Sequence, residues 1–131
     1  MAEIFSEQWM QKMMDEWNKE PELANDLLNI GFNSTIAYGF EHEDEPRGIL
    51  VIENGLAIIG TIFDTHQCNW DLRATEYNWQ KWFKKPPGMM ALGMAYTSRQ
   101  LQFYKGDYVA MMKDPRMAGP FIKSFTVMGR V

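Results

Sequence analysis

At Asn33 the spacing of apolar residues along this chain changes from helical to alternating, and that switch decides what it can fold into. Before it, Trp9, Met10, Met13, Met14 and Trp17 recur at three- and four-residue intervals, with Glu7, Gln8, Gln11, Lys12, Asp15 and Glu16 on the opposite face. Ser6 suits the N-cap, and Phe5 and Met10 are placed to close a hydrophobic staple. Such a helix must lay its stripe on the body of the domain. Pro21 opens a second short helix with Leu23, Leu27 and Leu28, and Gly31 ends it. Beyond the switch, Ile36, Tyr38 and Phe40 alternate with Thr35, Ala37 and Gly39, the pattern of a half-buried strand.

The remaining elements follow from turn chemistry. Glu45-Pro46-Arg47-Gly48 reverses the first strand, residues 49–53 form a second, and Asn54-Gly55 tolerates the positive φ of a tight hairpin before residues 56–63 return. Trp70, Leu72 and Ala74 alternate with Asn69, Asp71 and Arg73, which predicts a fourth strand with one buried face and one polar face. Thr75 caps a helix carrying Tyr77, Trp79, Trp82 and Phe83, Pro86-Pro87 stops it, and residues 88–97 resume a helical pattern. Leu101 and Phe103 mark a fifth strand ending at Gly106. Asp107 then caps a short helix with Val109, Met111 and Met112, interrupted by Asp114-Pro115. A closing helix with Phe121, Ile122, Phe125 and Met128 is expected only beyond Pro120. No linker or repeat divides the chain, so one α+β domain over residues 1–131 is expected.

Composition removes several function classes. The formal charge of −4, with an acidic run at Glu41-His42-Glu43-Asp44-Glu45, disfavours attraction to nucleic acid or to anionic membrane surfaces. A single cysteine, Cys68, cannot form an internal disulfide, which fits a reducing compartment and makes the cytoplasm the expected location. The amino-terminal residues are acidic and amphipathic rather than signal-like, the last residues carry no retention tripeptide, and no apolar run is long enough to span a membrane.

Residues 79–94 concentrate Trp79, Trp82, Phe83, Met89, Met90, Leu92 and Met94 around the double proline. Side chains of this kind pack ordinary cores, and they also line adaptable hydrophobic cavities, because Met bends to fit and Trp offers area at small rotamer cost. A cavity of about 300 Å³ or more needs several of them to converge. Burying about ten methylenes at roughly 0.8 kcal/mol each would already give binding of about micromolar strength.

Taken in order, the Asn54-Gly55 hairpin, the strand Trp70-Asp71-Leu72-Arg73-Ala74-Thr75 leading into the helix of Trp79 and Trp82, and Gln102-Phe103-Tyr104-Lys105-Gly106-Asp107 before a short helix make this chain resemble the sterol carrier protein 2 domain family. The resemblance covers nearly the whole chain. It implies a five-stranded mixed, mostly antiparallel sheet covered by helices, enclosing an apolar cavity for fatty acids, acyl-CoA, sterols or other lipids, with no metal or covalent cofactor. Residues 89–96 and 121–128 are the cavity walls it implies. The expected ligand-binding set is Trp79, Trp82, Phe83, Met89, Met90, Met94, Phe103, Met112, Phe121 and Phe125.

Other patterns carry less chemistry. Asp64, His66 and Cys68 would share one face of an extended strand, but a structural zinc site needs four donors, and a Cys68-His66 pair lacks a third group to orient the base. Gly106-Asp107 has no glycine-rich run or lysine to make a phosphate loop and reads as a helix cap. Lys81, Lys84 and Lys85 form a small basic patch that suits a carboxylate or a coenzyme A phosphate at a cavity mouth. With no nucleophile matched to a base and no cofactor fingerprint, a non-catalytic carrier is expected rather than an enzyme. The alternative is a homodimeric interaction module, accessory to lipid or hydrocarbon catabolism, with no ligand of its own.

Overall fold

The computed structural model describes residues 2–131. In chain order its elements are α1 (Glu7–Lys19), α2 (Pro21–Asn29), β1 (Ser34–Phe40), β2 (Gly48–Glu53), β3 (Leu56–Ile62), β4 (Trp70–Ala74), α3 (Glu76–Lys84), α4 (Met89–Thr97), β5 (Gln102–Lys105), α5 (Tyr108–Lys113) and α6 (Pro115–Met128). The strands lie in the order β3-β2-β1-β4-β5. β1 runs parallel to β4, and the other neighbours are antiparallel. This is the mixed, mostly antiparallel sheet of the α+β fold that the sequence predicts.

Local signals act as expected. Ser6 accepts from the Trp9 N–H, Thr75 from Asn78, Asp107 from Ala110 and Asp114 from Arg116, so each of these helices starts on a side-chain cap. Gly31 takes a positive φ of 60° after α2, and the Phe32 N–H reaches the Leu27 carbonyl, the paired-bond ending that glycine favours. Asn54 and Gly55 have φ values of 50° and 83° at the hairpin. β3 is an edge strand, and Asn18 of α1 covers part of that edge by bonding both the N–H and the carbonyl of Ala57.

Pairing register puts Ile36, Tyr38, Phe40, Leu50, Ile52, Leu72, Ala74 and Phe103 on one face of the sheet. Helices cover that face: α1 packs on β3 and β2, and α6 packs against α1, α2, α3 and α5. At the centre sits Trp79, fully buried, with Phe5, Tyr38, Trp82, Phe83 and Phe125 within 5.2 to 6.2 Å of its ring centre. Its indole N–H donates to the Gly39 carbonyl at 2.9 Å, fixing α3 to the middle strand.

The opposite face corrects the expectation of a solvated polar side on β4. Asp71 and Arg73 are 6% and 1% exposed and form a two-point ion pair, Nε to Oδ1 at 2.6 Å and Nη2 to Oδ2 at 3.1 Å. Nη1 of Arg73 donates to the Phe40 and Glu43 carbonyls, and the Tyr104 ring covers the guanidinium at 4.3 Å. Residues 41–47 therefore fold over this face instead of making a simple exposed turn. Residues 63–69 join β3 to β4, bonded to the sheet by the Phe63 N–H to the Arg47 carbonyl and the Asn69 N–H to the Thr35 carbonyl, and Ala37 and Ile49 are completely buried. Alternation alone missed this because an apolar or ionic cover from a loop leaves no periodic trace.

A second correction concerns Pro120, which lies inside α6 rather than ahead of it. Pro115 occupies the first helical position, where a missing N–H costs nothing, and the helix runs on through Gly119-Pro120. Gly119 has no Cβ to clash with the proline ring, and the Pro120 ring is buried on the sheet side. At the far end, Arg130 donates to Glu20 at 2.8 Å, tying the chain after α6 to the start of α2.

Removing one member of the buried pair strands the other charge. Arg73→Met is expected to lower unfolding stability by about 3–5 kcal/mol in urea denaturation. The Arg130 hydrogen bond holds the Glu20 carboxyl below its ordinary range. That stabilisation is therefore complete above the unfolded carboxyl pKa and fades as the pH falls through it. Arg130→Gln should be less stable than the parent at pH 7, with the difference shrinking below about pH 4 in paired denaturation curves.

Candidate functional site

Between the sheet and α2, α5 and α6 lies a partly open apolar cavity of about 40 Å³, room for roughly one water molecule. Its floor is Tyr38 and Leu72, and its walls are Leu23 and Leu27 of α2, Met111 of α5, and Pro120, Phe121 and Ser124 of α6. Phe32, Ile36, Trp70 and Met117, each half-buried, form the side nearest solvent. No charged residue lines it. Glycine at 106, with φ of 101°, lets the turn into α5 pass against the Trp70 ring, so the mouth depends on a position where any side chain would collide.

Two polar groups meet this cavity. Ser124 spends its hydroxyl on the Phe121 carbonyl within its own helix. Tyr38, 2% exposed, has no hydrogen-bond partner for its hydroxyl among the described residues, and burial alone raises its pKa far above the ordinary value. Every sealed side-chain nitrogen or oxygen among the described residues has a partner, so the Tyr38 hydroxyl borders free space, and the space that Tyr38 lines is this cavity.

The structure distributes the ten residues singled out from sequence over several places. Phe103 and Phe121 stand together at the cavity wall, 5.9 Å apart. Trp79, Trp82 and Phe125 are interlocked in the aromatic centre. Phe83 stacks on Trp9 under a separate groove near the amino terminus. Met112 is half-buried on α5 next to the lining residue Met111. Met89, Met90 and Met94 project from α4 into solvent, 59%, 82% and 67% exposed, and so stand away from the cavity. Lining residues that sequence reasoning left out, among them Tyr38, Leu23, Trp70, Met111, Met117 and Pro120, come from several different elements. Only Tyr38 carried a signal, a hydroxyl at an inward strand position.

Residues 63–69 are not a strand, so Asp64, His66 and Cys68 do not share a face. The Asp64 N–H donates to Nδ1 of His66, and desolvation pushes the Cys68 thiol up, away from the reactive thiolate. Among the described residues no three His, Cys, Asp or Glu side chains converge as metal donors, and no helix is long and apolar enough to cross a membrane.

This arrangement, helices on one face of a β3-β2-β1-β4-β5 sheet, is the sterol carrier protein 2 fold. Aligned with a crystal structure of sterol carrier protein 2, the chain gives a TM-score of 0.75 at 16% identity, over 98% of this chain and 99% of that one. A Thermus thermophilus protein whose solution structure is described as that of a possible sterol carrier protein gives 0.64 at 14% identity, over 99% and 87% of the two chains. A structure described as a UbiJ-SCP2 ubiquinone synthesis protein gives 0.56 at 10% identity, over 93% and 88%. At these identities the likeness is one of fold. No protein-family model and no curated protein matches the sequence.

A hydroxyl with no partner contributes little to stability. Tyr38→Phe should change unfolding free energy by less than about 1 kcal/mol, in either direction, in ligand-free protein. Trp79→Phe breaks the bond to Gly39 and leaves a void in the aromatic centre, and should cost about 2–4 kcal/mol in the same urea titration.

Proposed function

We propose that this chain is a non-catalytic carrier that holds one hydrophobic small molecule between the sheet and α5–α6. The observation carrying this reading is the Tyr38 hydroxyl, left unpartnered at the floor of a cavity otherwise walled by hydrocarbon, thioether and aromatic side chains. A hydroxyl that borders free space rather than being sealed keeps an open hydrogen-bonding position, and a guest with a polar oxygen supplies a partner for it. The fold supports the same reading, since it is shared with sterol carrier protein 2 and with a ubiquinone synthesis protein.

At about 40 Å³ the cavity is far below the several hundred Å³ a lipid requires, so uptake requires it to expand. Its walls suit expansion. Met111 and Met117 are flexible thioethers, and α5 is a six-residue helix set between the Gly106 turn and the Asp114 cap, with α6 as its main packing partner. Outward movement of α5 and the first turn of α6 would open a path past Met117. With no cation on the lining, the ligand head is neutral: an alcohol, ketone or quinone oxygen opposite Tyr38, rather than a carboxylate, is the group this site stabilises.

Displacement of a fluorescent fatty acyl probe, with native mass spectrometry for stoichiometry, tests the reading. One ligand per chain is expected, at about micromolar affinity, with long-chain alcohols preferred over the matching carboxylates. Phe121→Glu should weaken uptake at least about tenfold by placing a charge in the wall. Tyr38→Phe should weaken alcohols by about three- to tenfold while leaving hydrocarbons unaffected. No uptake at any lipid tested, or equal uptake by Phe121→Glu, would overturn it.

A further inference from the structure

The exposed methionines of α4 and the lysines beside them have no role in the cavity. From Tyr77 to Gly106 the chain has no Asp or Glu, yet holds five of its thirteen cations, so all seventeen carboxylates lie elsewhere. The negative net charge therefore hides a pole of opposite sign. On that pole α4 is apolar along its whole length, with no charged residue in Met89–Thr97. Leu92 and Ala95 face inward, whereas Met90 and Met94, one turn apart, face solvent. Lys81 and Lys85 of the preceding segment line the same groove of about 520 Å³ as Met94, beside Pro86 and Pro87. Arg99 is exposed between the lining residues Ser98 and Gln100, whereas Lys84 lines a neighbouring groove with Glu3 and Glu76. The acids that bound this segment in sequence are Glu76 at the start of α3 and Asp107 at the start of α5.

We propose that this pole is a docking surface for an anionic lipid bilayer, with Met90 and Met94 entering the acyl boundary while Lys81 and Lys85 meet the headgroups. Apolar side chains raised above a basic rim match the two attractions that hold peripheral helices at membrane surfaces, partition of the apolar face and attraction to negative lipid. The thioethers adapt to irregular acyl packing as they do to irregular protein surfaces. The acidic remainder of the molecule is repelled by the same surface, so the charge asymmetry also sets orientation. A second copy of this chain meeting this one through α4 in a symmetric contact would set lysines against lysines, whereas anionic headgroups neutralise them, and charge complementarity therefore favours the bilayer.

Vesicle co-sedimentation tests this independently of ligand uptake. Vesicles of phosphatidylcholine with about a third phosphatidylglycerol should bind the protein, pure phosphatidylcholine far more weakly, and raising salt to about 0.5 M should release it. Lys81→Gln and Lys85→Gln should each lower the partition coefficient by about fivefold. Met90→Asp with Met94→Asp should abolish binding while circular dichroism and probe uptake in solution stay unchanged, since both residues are solvent-exposed. Equal binding by the double methionine variant, or no preference for anionic vesicles, would overturn the proposal. So would a concentration-dependent dimer in sedimentation velocity that the methionine variant abolishes, with no vesicle binding by the parent.

Discussion

The hydrogen bond from the Trp79 indole to the Gly39 carbonyl, and the ring of aromatics around it, fix the rest of the molecule. It joins the central strand to α3 from the helix-covered side, and Phe5, Tyr38, Trp82, Phe83 and Phe125 close on it edge-to-face or offset. Aromatic pairs of this kind contribute about 0.5–1.5 kcal/mol each beyond the area they bury. Because this hub absorbs the large rings from α3, little room remains behind it. The open volume lies to one side, where α2, α5 and α6 meet the sheet.

The two faces of the sheet are closed by different physics. Helices seal one face with hydrocarbon. The other is sealed by loops, which lack enough apolar side chains and use the Asp71–Arg73 pair instead, with carbonyls of Phe40 and Glu43 completing the guanidinium and Tyr104 stacked on it. The acidic run after β1 is thus a lid over an arginine. Its Glu43 also takes a two-point bond from Arg47, and that guanidinium lowers the Glu43 carboxyl below its ordinary range.

Division of labour follows from where apolar surface is left over. One surplus is internal, around Tyr38, Phe103 and Phe121, and is suited to a guest small enough to be enclosed. The other is external, on α4, and is suited to a surface too large to enclose. A carrier needs both, since a molecule taken from a membrane must pass from an extended apolar phase into a private one. The Tyr96–Tyr108 stack, 4.0 Å between centres, physically links α4 to α5 and so joins the outer surface to the helix that closes the cavity.

Much of this was legible in the chain. The period switch at Asn33, the Asn54-Gly55 hairpin and the caps at Ser6, Thr75 and Asp107 fix the order of elements, because each depends on neighbours in sequence. Burial of Asp71 and Arg73, the continuity of α6 through Pro120, and the separation of α4 methionines from the cavity were not legible. The first two are settled by what arrives from a distant segment, the 41–47 loop over Arg73 and a sheet against the Pro120 ring, and the third by which face of α4, that of Leu92 and Ala95, turns inward. Local spacing by itself determined which residues form helices and strands and which side of each is apolar. Only the tertiary structure decided which apolar sides meet one another, which enclose space and which remain facing solvent, because packing depends on volumes brought together across the whole chain.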